Sequence, residues 1–276
     1  VGIITLTTDF GERDPYVGMM KGVILSINPR ARIVDISHGI SAGSILEGST
    51  IIKEAYRYFP SGTVHVGVID PGVGGERRPI AVASKGHYFA GPDNGLFWPT
   101  IAADPLADVI HLTEKRYWMD AVSSTFHGRD IFAPVAAHLS RGIDLYLMGE
   151  KINDPIALAY PLVKREQDLL AGEVIRVDHF GNLITNITTE NLAEFLSSEG
   201  LSVAIGGMVL KGIHTTYGDA SEGEPLALIG SSNMLEIAVN RGSAREKLGD
   251  ACGIGAKVTV RRWPKDAGLR TEDGKW

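Results

Sequence analysis

Through its first half the chain alternates strand-like and helix-like runs, and this alternation limits the fold more than any other feature. IITLTT (3–8) has the pattern of a buried strand. Residues 15–28 then place Val17, Met20, Val23, Ile24 and Ile27 at helical spacing. ARIVDIS (31–37) is the next strand, and Ser44 with Glu47 has the S-x-x-E spacing of a capping box opening a helix to about Phe59. TVHVGVID (63–70) and IAVAS (80–84) follow as strands, the second trailed closely by HYFAG; RDIFAPVAAHLSR (129–141) is a helix with Pro134 early in it. Such alternation predicts an α/β fold, a largely parallel sheet covered by helices.

After Gly142 the pattern changes. An N-terminal α/β domain is expected over 1–160, a connection over 161–168 and a second domain over 169–263. Within the last, GEVIRVD, LITNI, LSVAIGG, MVLKGI, PLALIG, MLEIAV and AKVTVRR are short strand-like runs separated by turn residues, which predicts a small β-barrel or sandwich. Residues 264–276 form a polar tail expected to fray.

With 276 residues the chain can bury roughly three quarters of its unfolded surface, so neither a disulfide nor a metal is needed for stability. A net charge of -6 argues against nucleic acid, whose binding rests on Lys and Arg neutralising phosphates. No run of about 18 apolar residues suggests a membrane span. The first residues enter a strand pattern without a basic region or cleavage site, and the single Cys252 suits a reducing compartment. A cytoplasmic protein is expected.

Four blocks carry chemistry. VIDPGVGGERRPI (68–80) ends a strand at Asp70 and brings glycines beside Arg77 and Arg78. It lacks the spacing of a phosphate loop, and Glu76 would repel a phosphate. TDFGERD carries Asp9 and Asp14 after the first strand, where ligands of open α/β sheets bind. A carboxylate there can accept from a ribose diol; it can equally cap the following helix, as Asp14 in D-P-Y would. STFHGRD (124–130) sets His127 before Gly128 at a helix mouth, and DHFGN (178–182) joins two strand-like runs as a turn. Gly39-Ile40-Ser41-Ala42-Gly43 matches the G-x-S-x-G of serine hydrolases, but capping explains its serines, with Ser44 starting the helix too late for a nucleophile elbow. There is neither H-E-x-x-H nor a cysteine pair, so no metal site is expected.

Together T-T-D-F-G-x-x-D, V-I-D-P-G-V-G-x-x-R, G-P-D-N-G-L, S-x-T-F-H-G-R-D and D-x-F-G-N-x-x-T-N, in this order from residue 3 to about 261, resemble the S-adenosyl-L-methionine (SAM) hydroxide adenosyltransferases, or SAM hydrolases, relatives of fluorinase and chlorinase. The resemblance implies a Rossmann-like N-terminal domain, a C-terminal β-barrel and a homotrimer. SAM would bind between the N-terminal domain of one subunit and the C-terminal domain of its neighbour. It implies hydrolysis of SAM to adenosine and L-methionine, with SAM as substrate and no cofactor. The family's Asp-Arg-His set falls on Asp70, Arg77 and His127; Arg78 is the adjacent rival, and the E-R-[RK] spacing favours Arg77. Asp9 falls on the ribose carboxylate, Asp14, Asp178 and Ser231 on the methionine end, and Asn182 on adenine. Phe180 and Tyr217 would pack on the base, while Asn94, Phe126 and Gly128 complete the implied substrate-binding set. Ser232 stands where fluorinase has an arginine, so that contact to the methionine carboxylate is not carried over.

The halogenating relatives have aromatic residues where Asp70 and His127 stand, so those two suit water rather than halide. A sulfonium is already a good leaving group; the difficulty is the nucleophile, since bulk water has a pKa of about 15.7. The expected division of labour makes His127 the base, oriented by Asp70, with Arg77 favouring hydroxide by its fixed charge. The alternatives are a SAM- or adenosine-binding protein without significant turnover, and a halide transferase.

Overall fold

Residues 2–195 and 200–262 are described by the structure, a computed structural model; the expected polar tail lies outside them. Two units divide between Ala159 and Tyr160. No helix among the described residues is long and apolar enough to cross a membrane.

The expected alternation is present in the first unit. Its elements are β1 (Ile3–Thr8), α1 (Tyr16–Ile27), β2 (Arg32–Ser37), α2 (Ile45–Ala55), β3 (Val64–Val68), β4 (Pro79–Ser84), β5 (His87–Pro92), α3 (Trp98–Ala102), β6 (Asp108–Leu112), α4 (Ala133–Ser140) and β7 (Gly149–Ile152). The sheet order is β2-β1-β3-β5-β4-β6-β7. It is parallel from β2 to β5 and antiparallel from there to β7. The expectation of a largely parallel sheet therefore holds for the half that carries the candidate site. The remainder reverses because Lys85 (φ 48°) and Gly86 (φ 80°) close β4 and β5 into a two-residue hairpin. Apolar cores cover both faces. Ile4, Leu6, Val66 and Val68 meet α1 and α4 through Met20, Ile24, Phe132 and Val135; Ile52, Ile69, Phe89 and Phe97 fill the other side.

The capping box is built differently from its sequence signature. Ser44 precedes α2 without a side-chain cap bond, and Glu47 accepts from the Ser41 N–H at 3.0 Å. The α2 helix ends at Ala55, and Tyr56–Tyr58 is a short 3₁₀ turn. The later helix also starts late. Gly128–Phe132 is one wide π-turn, in which the Ala133 N–H reaches the Gly128 carbonyl, and the α-helix proper begins with Pro134 in its first turn, where its missing N–H costs least.

Strands β3 and β5 carry a buried histidine pair. The Thr5 hydroxyl lies 2.8 Å from His65 Nδ1, and His65 Nε2 lies 3.2 Å from His87 Nδ1. Burial first, and His87 second, push the His65 pKa down to about 3. The unfolded chain therefore binds a proton that the folded chain refuses between about pH 6.5 and 3. Stability is full above that window and falls as pH drops through it, by about 2–3 kcal/mol at pH ~4.5. Thermal melts of wild type and His65→Gln at pH ~7 and ~4.5 check this, the variant showing the shallower decline.

The second unit contains all seven expected strands and one more. Residues 164–166, expected inside a connection, form β8 (Lys164–Glu166) paired with β9 (Leu169–Val177). They are followed by β10 (Leu183–Thr188), β11 (Leu201–Ile205), β12 (Met208–Lys211), β13 (Pro225–Ile229), β14 (Met234–Val239) and β15 (Lys257–Arg262). The order β12-β11-β15-β9-β10-β14-β13 curls until the His214 N–H reaches the Ala227 carbonyl at 2.7 Å beside β13, giving a nearly closed barrel. Leu170, Val174, Leu183, Phe195, Leu235 and Val260 fill its interior.

Candidate active site

Strand order fixes where the loops of the first unit meet. β1 leads through α1 to β2 on one side, and β2 leads through α2 to β3 on the other, so the winding reverses between β1 and β3. Loops leaving the carboxyl ends of parallel strands part at such a point and leave a crevice. Asp9 follows β1 and Asp70 follows β3. A cavity of about 310 Å³ opens there, lined by Asp9, Phe10 and Gly43 from one side and by Asp70, Phe126, His127 and Gly128 from the other.

The glycines of the 70–79 loop serve a steric purpose. Gly74 has φ +75°, and a Cβ on it would stand 2.1 Å from the Ser124 carbonyl oxygen. The loop can thus lie directly against the segment that carries His127. Arg77 turns inward: its Nε is 3.0 Å from each Asp70 carboxylate oxygen and its Nη2 2.5 Å from Oδ2. The same Nη2 donates to His127 Nδ1 at 2.7 Å. The side chains of Arg77 and Asp70 are only 8% and 5% exposed, so this ion pair is shielded from water. Burial, and then Arg77, lower the pKa of His127, opposed by Asp70 and Asp130.

Arg78 points elsewhere. It donates to Asp93 Oδ2 (2.9 and 2.7 Å) and to Asp154 Oδ1 (2.9 Å), tying the β4 start to residues 93 and 154. The expected order, with Asp70 orienting His127 directly, is not what the chain builds: the bond reaching His127 comes from Arg77, which stands between the two.

Asp9 is braced by the Gly43 N–H, which donates to its Oδ2 at 2.8 Å. The G-x-S-x-G segment thus contributes a backbone donor rather than a nucleophile. Asp14 is exposed and makes no cap bond to α1, whose N-cap is Pro15. Phe126 packs edge-to-face with Phe10 and Tyr16 at centroid distances of 5.8 and 5.3 Å. Asn94 does not line the cavity; its amide donates to the Ile69 carbonyl at 2.9 Å and accepts from the Leu96 N–H at 3.2 Å, holding the end of β3 in place.

Two features of this unit escaped the sequence reading. Asp130, 1% exposed, accepts from the Ser123 N–H at 2.8 Å and from Arg129 Nε at 2.6 Å. Its own carbonyl takes the Met119 N–H at 2.9 Å, an acceptor left open because Pro134 has no N–H to offer. Arg129 also lies 5.0 Å over the Phe126 ring. The H-G-R-D run contained the signal, an acid at a helix mouth, although periodicity assigned it to the helix.

In the second unit the remaining expected residues fall into two turns and one facing segment. Asp178 closes the β9–β10 turn: Oδ1 accepts from the N–H groups of Phe180 (2.9 Å) and Asn182 (2.8 Å), and Oδ2 from Asn182 Nδ2 (2.9 Å). Phe180 stands 73% exposed and Asn182 is buried. Ser231 lies exposed in the β13–β14 turn. The Tyr217 hydroxyl donates to Glu236 Oε2 at 3.0 Å, and burial together with Glu236 raises its pKa to about 12. Glu236 was missed; the sign was a charge inside the apolar run MLEIAV. Gly230 makes room for it, since a Cβ there would meet its Oε1 at 1.6 Å.

Comparison with known proteins places this geometry. Residues 4–149 match the SAM hydroxide adenosyltransferase N-terminal domain and residues 172–258 the C-terminal domain of that family. The (R)-S-adenosyl-L-methionine hydrolase of Salinispora tropica is 38% identical over 261 residues, covering 93% of this chain and 97% of the relative. That of Thermus thermophilus is 37% identical over 249 residues, 88% and 93% of the two. A fluorinase from Nocardia brasiliensis is 28% identical over 291 residues, 94% and 97%. The crystal structure of an uncharacterized conserved protein from Thermotoga maritima superposes with a TM-score of 0.88 at 35% identity, over 94% of this chain and 100% of the other.

Proposed function

Because the chain belongs to the SAM hydroxide adenosyltransferase family, we propose that it cleaves SAM with water at the ribose C5′, giving adenosine and L-methionine. The observation that carries this reading is the buried Asp70–Arg77–His127 network beside the cavity. The leaving group departs as a neutral thioether, so the protein needs only to hold and activate a water in line with the C5′–S bond. Hydroxide meeting a sulfonium annihilates charge, and a dry site of low dielectric favours that step. Two carboxylates, Asp9 and Asp70, border the cavity; they favour a cationic substrate and oppose a halide nucleophile.

Asp9, with Oδ2 held by Gly43, keeps Oδ1 for the ribose diol. Phe126 and Gly128 border the reacting carbon, and Asn94 acts through the Ile69 carbonyl. In the barrel unit, Asn182 would read adenine and Phe180 and Tyr217 would pack on the base, while Asp178 and Ser231, with Asp14 of the first unit, would hold the methionine end. A homotrimer working in the cytoplasm completes the reading, and light scattering tests the assembly.

Incubation with SAM, followed by chromatography for adenosine, tests the activity. SAM binding without adenosine above the uncatalysed background would leave a binding protein; 5′-chloro-5′-deoxyadenosine formed in chloride would make it a halide transferase. Asp9→Ala is expected to weaken adenosine binding roughly 10–100-fold, the loss of charge-assisted hydrogen bonds. Calorimetric titration checks it, and unchanged affinity would remove Asp9 from the ribose.

A further inference from the structure

Arg77 settles which nitrogen of His127 carries the proton. A guanidinium has five donors and no acceptor, so the 2.7 Å contact between Arg77 Nη2 and His127 Nδ1 requires a lone pair on Nδ1. In the neutral ring the proton is then on Nε2. A charged ring would turn an Nδ1–H against the Arg77 N–H. The groups around the ring agree with neutrality: burial and then Arg77 disfavour the charged form, while Asp70 on the loop after β3 and Asp130 on its own segment only partly oppose them. Asp9, on the loop after β1, and Arg129, beside Asp130, complete the nearby charges. The ring nitrogen left over is therefore a hydrogen-bond donor, and it cannot take a proton from water.

The carboxylates bordering the cavity are Asp9 and Asp70. Asp70 Oδ2 takes two bonds from Arg77, whereas Oδ1 takes one, which leaves Oδ1 with open acceptor capacity. Accepting the SAM-hydrolysing reading above, the geometry points to a reversed division of labour: Asp70 receives the proton of the attacking water, and His127 Nε2–H donates to its oxygen and aims it. In the step, the water oxygen forms a bond to C5′ and the C5′–S bond breaks with its electron pair going to sulfur. One O–H bond of the water gives its proton to Asp70, and that proton passes to solvent after the products leave. A carboxylate paired with arginine is a weak base, but it suffices here. The water becomes acidic only as its oxygen bonds to carbon, and the sulfonium needs no assistance in leaving.

The test uses His127→Gln in the full chain. The glutamine amide nitrogen occupies the place of Nε2 as a donor and has no basic lone pair. Adenosine formation from SAM under saturating conditions is followed between pH ~5 and ~9, alongside His127→Ala and Asp70→Asn. The expected result is His127→Gln within about tenfold of wild type with an unchanged pH profile, while His127→Ala and Asp70→Asn fall by roughly 10² or more. A loss of roughly 10² or more in His127→Gln, with the acid limb of the wild-type profile gone, would overturn the assignment and make His127 the base. This result stands whether or not Asp70→Asn folds. Asp70→Asn that folds and stays within about tenfold of wild type would overturn the role of Asp70. Absence of adenosine from the wild type itself would instead reject the underlying hydrolase reading.

Discussion

Arg77→Ala is expected to lose about 3–5 kcal/mol of stability and to slow adenosine formation roughly 10³-fold. The first effect follows from burial. The Asp70 side chain is 5% exposed and is paired with the Arg77 guanidinium; removing that partner leaves an uncompensated charge away from water. The second follows from the bond to Nδ1, which fixes the His127 tautomer. Urea denaturation and chromatographic assay measure the two separately. Arg78→Ala is the control: it breaks the ties to Asp93 and Asp154 and should lose stability while keeping turnover within a few-fold at a temperature where it stays folded. Equal losses of turnover in the two variants would remove Arg77 from its assigned place.

Gly74→Ala has the next largest expected effect. A left-handed conformation costs a residue with a Cβ roughly 1–2 kcal/mol, and here the Cβ would also stand 2.1 Å from the Ser124 carbonyl oxygen. Backbone on both sides must separate, which carries Arg77 away from His127. The expected outcome is a loss of about 2–4 kcal/mol together with a drop in turnover of about tenfold or more. Gly212→Ala isolates the conformational part, since Gly212 also has positive φ (+73°) but nothing within 4 Å of its Cβ position. It should show the smaller stability loss and normal turnover. Matching stability losses in the two variants would mean that the contact with Ser124 is not what requires glycine at 74.

The sequence by itself determined the elements and their class. Helical spacing of Val17, Met20 and Ile24 and apolar strand runs such as IITLTT are local properties, set by the geometry of helix and strand, and the structure places α1 and β1 where those patterns lie. The seven short runs after residue 169 likewise became strands. Loops at the strand ends of an open sheet collect functional residues, and three of the four motif blocks, around Asp9, Asp70 and His127, do line one cavity.

What only the tertiary structure decided was direction and partnership. Arg77 and Arg78 are neighbours in sequence, and in extended backbone adjacent side chains leave on opposite sides. Which one enters the site depends on Asp70 lying on one side and Asp93 with Asp154 on the other, a fact of three-dimensional placement. The order Asp70–Arg77–His127 was hidden for the same reason: the contact closing it spans 50 residues, and spacing along the chain carries no record of which donor faces which nitrogen. The burial of Asp130 and Glu236 is collective too, because a carboxylate can leave water only where other elements supply its donors. The glycine- and arginine-rich stretch, which lacks the spacing of a phosphate loop, is a tight turn that lets one arginine hold a carboxylate and a histidine at once.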